Sequence, residues 1–217
     1  MPDHELYLTR LTPDPAHPIA RRERTDAGAM HRRVMSLFPT NLPERPRAAV
    51  GALFRVDQDQ TGIYILIQST LPPNPANLPT GYGPIITKQM SPLLEHCRPG
   101  TRIKYRIIGN ATSMLGRNTT AGRPGQIIPL RGADADTWWQ RRATAAGLTL
   151  HDVHATLLAP GSTDHAGEKP GRTPHDRTQF DGTATITDPT ALITAMTTGI
   201  GRAKSYGCGL LTIAPLP

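Results

Sequence analysis

Cysteine is almost missing from this sequence, with two in 217 residues. One pair cannot staple a chain of this size, so a reducing cytosol is the expected compartment. The Asn-x-Thr sequons at Asn110 and Asn118 then carry no weight. Long apolar runs are missing too. The longest spans four or five residues, which excludes a membrane-spanning helix. Met1-Pro2-Asp3-His4-Glu5 has no basic flank followed by an apolar stretch, so no signal peptide is expected. No Cys/His group has zinc spacing, and no paired-carboxylate pattern of a metal nuclease is evident. The G-x-x-x-x-G-K-[ST] and G-x-G-x-x-G phosphate signatures are absent as well. Lysine is scarce, with 4 against 20 Arg.

What is present is proline, glycine and positive charge. The 22 prolines are about twice average usage, so long loops and frequent element ends follow. Hydrophobic residues make up 37%, enough to build a core. The formal net charge is +7 and the pI about 9.9, which favours an acidic partner, nucleic acid being the commonest. The arginine skew suits RNA, since guanidinium grips phosphate bidentately and stacks on bases; codon bias in a GC-rich genome is the alternative. Basic residues cluster at Arg21, Arg22 and Arg24, at Arg32 and Arg33, and at Arg102, Lys104 and Arg106. Others lie at Arg117 and Arg123, at Lys169, Arg172 and Arg177, and at Arg202 and Lys204. Several of these fall in loop-like stretches.

The periodicities give an element order. Glu5 to Leu11 alternates as a strand, and a basic loop with Pro13, Pro15 and Pro18 follows. Thr25-Asp26 signals a helix N-cap, and Met30, Val34, Leu37 and Phe38 recur at helical spacing until Pro39. Ala49 to Gln58 and Gly62 to Ser69 read as a hairpin, and Ile85 to Met90 as a fourth strand. This β-α-β-β-(weak α)-β order is the split-βαβ plan of ferredoxin-like, or RRM-like, domains. Ser91 to Gly100 reads as a linker. The order then repeats: a strand over Thr101 to Ile108, a long basic loop over Asn110 to Gly125, a short strand over Gln126 to Leu130, a helix over Asp134 to Ala146 with Trp138 and Trp139 facing in, and a strand over Leu148 to Leu158. A polar loop over Ala159 to Pro174, a strand over Thr178 to Thr187, a helix opened by Asp188-Pro189, a glycine-rich Gly199 to Gly209 and a last strand over Leu210 to Pro215 complete it. The expected class is α+β, as two tandem ferredoxin-like domains over 1–90 and 101–217, joined by 91–100.

Three features bear on chemistry. In Gly199-Ile200-Gly201-Arg202-Ala203-Lys204-Ser205-Tyr206-Gly207-Cys208-Gly209 the glycines let a backbone approach phosphates closely, with two cations beside it. A tight helix-to-strand turn is the simpler alternative, but it needs fewer glycines and no cations. His31 lies on the flank of the helical stripe, followed by Arg32 and Arg33. A histidine among arginines has its imidazolium disfavoured, and RNA phosphates restore it; a solvated helix histidine is the alternative. His151-x-x-His154 lies in a β-type run, where positions i and i+3 face opposite sides, so shared metal ligation is not expected. Tyr7 and Tyr206 fit base stacking or core packing.

The start Leu6-Tyr7-Leu8-Thr9-Arg10-Leu11, the helix Met30-His31-Arg32-Arg33-Val34-Met35-Ser36-Leu37-Phe38-Pro39 and the tail Gly199 to Leu211 together resemble the CasE family, the CRISPR repeat-processing endoribonucleases of type I-E Cascade. Phe180-Asp181-Gly182-Thr183-Ala184-Thr185-Ile186 resembles the family's phenylalanine-glycine strand. The resemblance implies tandem RRM-like domains and metal-independent cleavage of CRISPR precursor RNA at the 3′ base of the repeat hairpin, leaving a 2′,3′-cyclic phosphate and a 5′-hydroxyl. It implies retention of the product within Cascade, and no cofactor, small-molecule substrate or membrane. The family's catalytic histidine falls on His31. A tyrosine that some members place three residues earlier is Gly28 here. The glycine-rich loop falls on Gly199, Gly201, Arg202, Lys204, Ser205 and Gly207, where the cations would hold RNA backbone. Arg32 would stabilise developing charge, and Arg33, Arg117 and Arg123 would bind the RNA. Arg102, Lys104 and Arg106 share one strand face, lining either an RNA cleft or a solvated edge. A non-catalytic RNA-hairpin-binding subunit on the same fold is the alternative function, and an unrelated ferredoxin-like metabolic domain, with no RNA affinity, is a third.

Overall fold

The computed structural model describes residues 5–42, 46–120, 122–158 and 176–216. The predicted loop over Ala159 to Pro174, with Lys169 and Arg172, lies outside them.

The first half contains β1 (Tyr7–Leu11), α1 (Pro18–Thr25), α2 (Ala27–Ser36), α3 (Pro46–Ala49), β2 (Leu53–Asp59), β3 (Gly62–Ser69) and β4 (Ile85–Gln89). Its sheet has the order β2-β3-β1-β4 with antiparallel neighbours. A short α4 (Ser91–Glu95) leads into the second half: β5 (Arg102–Gly109), β6 (Thr112–Met114), β7 (Ile127–Pro129), α5 (Ala133–Ala145), β8 (Leu148–Leu150), β9 (His154–Leu158), β10 (Arg177–Ile186), α6 (Pro189–Thr198) and β11 (Thr212–Pro215). Its sheet runs β11-β5-β10-β8, with β9 also on β10. Numbering only the four strands on the main path of each sheet in chain order, both read fourth-first-third-second. The fold is α+β, two ferredoxin-like units in tandem.

Local chemistry explains the helices that carry function. Asp26 caps α2, its Oδ1 accepting from the Gly28 and Ala29 amides at 2.8 and 2.9 Å. Met30, Val34 and Leu37 then fall on one buried face. They pack with Phe38, Phe54, Ile65, Ile67 and Tyr82 into the first core. Pro189 opens α6 behind the Asp188 cap. In the second core Trp138 and Trp139 lie nearly parallel to Phe180, with ring centroids 6.1 and 5.8 Å away.

The two halves are tied together. Leu6 and Met90 belong to the core of the second half. Gln68 on β3 donates to the Met196 carbonyl at 2.6 Å. Arg55 on β2 donates to the carbonyls of Arg106 and Leu210, while its other edge grips Asp57.

Several expectations change. The basic segment after Pro18 is a helix, α1, because Pro18 is pre-set for a first helical turn. The strand expected from Ala49 starts only at Leu53, since residues 46–49 form one helical turn and Gly51 turns the chain at φ +56°. Part of the 91–100 segment is helical, and Cys97 in it is buried. The long loop after Asn110 begins as β6, which pairs with β7 in a separate two-stranded ribbon. The run Leu148 to Leu158 is two strands. It breaks where the Asp152 carbonyl turns onto Gly182, where a Cβ would stand 2.2 Å away. Tyr105 donates to that carbonyl at 2.9 Å, and the Thr183 amide donates to Oδ1 of Asp152 at 3.1 Å.

Candidate functional site

His31 projects from the middle of α2 and is partly exposed. Its ring lies nearly parallel to that of Phe54 on β2, with centroids 6.4 Å apart. A surface cavity beside it is lined by His31, Met35, Pro46, Arg47 and Ala48.

The other side of the site is the glycine-rich loop. Gly199, Gly201, Gly207 and Gly209 all take φ between +75° and +86°, a region L side chains avoid. Two of them are also pinned by contact: a Cβ at Gly199 would meet Leu53 at 2.6 Å, and one at Gly209 would meet the Ile200 carbonyl at 2.7 Å. Ile200 and Gly209 close the loop through an amide-to-carbonyl bond of 3.0 Å. Within it, Lys204–Tyr206 forms a single 3-10 turn that packs against α2. Gly207 faces Phe54, so Phe54 borders both the glycine loop and the His31 ring.

Positive charge is concentrated here. The Lys204 ammonium donates to the Thr198 carbonyl at 2.7 Å. Burial holds it below the usual lysine range, and the neighbouring Arg47 guanidinium lowers it further. Arg47 donates to the Ala52 carbonyl at 3.1 Å and is itself lowered by burial. Arg202 is exposed on the loop, and Ser205 is partly buried. A second cleft is lined by Phe54 together with Arg24, Thr25, Met30, Arg177, Tyr206 and Gly207.

The remaining predicted cations are dispersed. Arg32 is exposed, 3.7 Å from Asp26, and lines a groove between α1 and α2 with Arg22. Arg33 is engaged instead: Glu23 holds its guanidinium at 3.0 Å over the Tyr82 ring, and Tyr82 donates to the same carboxylate at 2.6 Å. That arrangement makes Arg33 a brace between α1, α2 and the core. Arg106 is bound to Asp181 at 2.5 Å and lies 4.0 Å from Asp57. It shares a cleft with Lys104, Asp152, Asp181, Thr183 and Thr212, away from the His31 cavity. Arg102 and Lys104 are exposed on the same face of β5. Arg117 and Arg123 are exposed in the connection between β6 and β7.

His151 lies 2.8 Å from the Thr185 hydroxyl, and His154 lies 3.8 Å from Asp152. Among the described residues no three His, Cys, Asp or Glu side chains stand close enough to hold a metal ion. No helix among them is long and apolar enough to cross a membrane. Tyr7 donates to Glu5. Sequence reading missed Arg47 and Phe54. Arg47 follows Pro46 in a Pro/Arg/Ala stretch without periodicity, and Phe54 reads only as an alternating strand residue.

Known proteins place this arrangement. The chain matches the family described as CRISPR associated protein over residues 6–215. It is 34% identical to the CRISPR system Cascade subunit CasE of Escherichia coli strain K12, over 97% of this chain and all of that protein. It is 25% identical to the CRISPR-associated endoribonuclease Cse3 of Thermus thermophilus, again over 97% of this chain and all of the relative. The crystal structure of Cas6e from Escherichia coli K-12 superposes with a TM-score of 0.70 at 27% identity, covering 97% of this chain and 100% of that one. With the histidine helix, the positive-φ glycine loop and the paired ferredoxin-like sheets in the same chain, this protein belongs to the CasE family of CRISPR-associated proteins.

Proposed function

We propose that this chain cleaves CRISPR precursor RNA at the 3′ base of the repeat hairpin without a metal cofactor and keeps the product as a Cascade subunit in the cytosol. The relatives' names, a Cascade subunit and a CRISPR-associated endoribonuclease, supply the substrate class and the assembly. The observation that carries the reading onto this chain is that His31 and the cationic glycine loop both border Phe54, with the loop's 3-10 turn packed on the His31 helix. A pure binding surface gains nothing from an imidazole held there.

The nucleophile belongs to the substrate. The ribose 2′-oxygen bonds to the adjacent phosphorus, and the bond from phosphorus to the 5′-oxygen breaks. The 2′-hydroxyl loses its proton and the departing 5′-oxygen gains one. The products are a 2′,3′-cyclic phosphate and a 5′-hydroxyl. His31 is the group that moves a proton, a contribution of about 10²–10⁴-fold. The loop around Lys204 and Arg202 holds the backbone in line, and its fixed cations meet the charge that builds on the phosphorane oxygens. Arg117 and Arg123, at the end of the ribbon, grip the stem. Residues 1–90 carry the catalytic helix and 101–217 the loop, so cleavage needs both halves docked.

The test uses end-labelled repeat hairpin RNA from the source organism, excess EDTA and enzyme in excess. Wild type is expected to cut, and His31→Ala to bind without cutting. A 2′-deoxy sugar at the scissile position is expected to block the wild type. Tight binding with no cut by either protein would establish the binding-subunit alternative. Equal cutting by both would remove His31 from the centre.

A further inference from the structure

We infer that Arg47 is a catalytic residue of this site, placed with Lys204 to hold the scissile phosphate against His31. The inference rests on the cleavage reading above. The geometry is specific. Arg47 and His31 line the same cavity, Arg47 from the single helical turn of α3 and His31 from α2. Lys204 does not line that cavity, but on the glycine loop it stands near enough to Arg47 for the guanidinium to disfavour its charge.

Two cations held near one another repel, and both are partly stripped of water. Each is also anchored by a backbone carbonyl: Arg47 donates to Ala52, and Lys204 donates to Thr198. These carbonyls fix position but supply no net negative charge. Such a pair fits an anion. A phosphate diester bridging them removes the repulsion and restores the favoured charged state of both. A trigonal-bipyramidal phosphorane carries more oxygen charge than the ground state, so the same contact strengthens as the reaction proceeds. Arg47 moves no proton in this scheme. Its planar fork contacts two phosphoryl oxygens at once, which a lysine at that place cannot reproduce.

The experiment compares wild type, Arg47→Ala and Arg47→Lys on the cleavable and the 2′-deoxy repeat hairpins, in EDTA and with enzyme in excess. Arg47→Ala is expected to lower the single-turnover rate about 10²-fold. Affinity for the deoxy hairpin should change by only a few-fold, with the salt slope falling by roughly 0.7–0.9. Arg47→Lys should recover part of the rate, and added guanidinium should partly rescue Arg47→Ala, a response a merely structural residue does not give. Unchanged rates in Arg47→Ala would overturn the inference. So would a rate loss that guanidinium and lysine both leave unrepaired. If wild type itself fails to cut, the cleavage reading fails before Arg47 is at issue, and an unchanged deoxy-hairpin affinity and salt slope in Arg47→Ala would then remove Arg47 from the RNA altogether.

Discussion

The imidazole of His31 and the ring of Phe54 lie within 26° of parallel, 6.4 Å between centroids. Phe54 comes from an edge strand whose other neighbours belong to the buried first core. The histidine therefore leans on a rigid wall. Phe54→Leu should keep the fold, free the imidazole to take other rotamers and lower the cleavage rate about tenfold or more, with RNA affinity nearly unchanged. Single-turnover kinetics beside a filter-binding assay would measure both. A mutant that cuts at the wild-type rate would show that the wall does not orient His31.

Gly199 is held by two constraints at once, a φ of +75° and the wall of Leu53. Gly199→Ala should cost about 1–3 kcal/mol from backbone strain alone, plus the clash. In Leu53→Ala/Gly199→Ala the clash disappears but the strain does not. The double mutant should then be less destabilised than the sum of the singles, as read from urea unfolding. Strict additivity would mean that Leu53 yields freely.

Arg55 is almost fully buried with Asp57, 2.8 Å away, and it also serves two carbonyls of the second half. Arg55→Met removes the close partner of a buried carboxylate and leaves only Arg106, 4.0 Å away, a loss of about 3 kcal/mol, the lower end for a broken buried pair. The double mutant Arg55→Met/Asp57→Leu should recover much of that. Thermal unfolding of the three variants would decide it. If the double mutant is as weak as Arg55→Met, the carbonyl contacts between halves carry the stability instead.

Lys204 sits below its ordinary value of 10.5 in the folded chain because burial and Arg47 disfavour its charge. Unfolded, it titrates near that ordinary value. Between the two, the unfolded chain holds more protons, so this group adds stability as pH rises through that window. Below the folded value its cost is complete and constant. Wild type should therefore gain stability relative to Lys204→Met as pH climbs from neutral toward 10.5. Urea midpoints at several pH values would test the sign. The same substitution should weaken RNA binding at pH 7 and flatten its salt dependence.

Cys208 is a buried member of the glycine loop, and burial pushes its thiol up to about 12. Cys97 is raised for the same reason. Reactivity follows the thiolate, so at pH 8 a disulfide reagent should titrate neither in the native protein and both after denaturation. Rapid reaction of Cys208 in the native protein would mean that the loop opens readily.

Much of this molecule was legible along the chain. Alternation, the Asp26 and Asp188 caps and the glycine spacing are local signals, readable because backbone geometry repeats every two or 3.6 residues. They sufficed for two split-βαβ units, the His31 helix and the loop of Gly199 to Gly209. What depended on contacts between distant segments was not legible. The helix after Pro18 has little apolar periodicity and is held by Glu23, whose carboxylate meets Arg33 and Tyr82. The break at Asp152 depends on the missing side chain at Gly182, thirty positions away. The sequence alone determined which residues could do chemistry, since residue type and local spacing belong to the chain. The tertiary structure decided which of them meet: it braced Arg33 on Glu23, tied Arg106 to Asp181, and brought Arg47 into the cavity of His31. Charges find their partners in space, and only packing brings residues far apart in sequence within reach of one another.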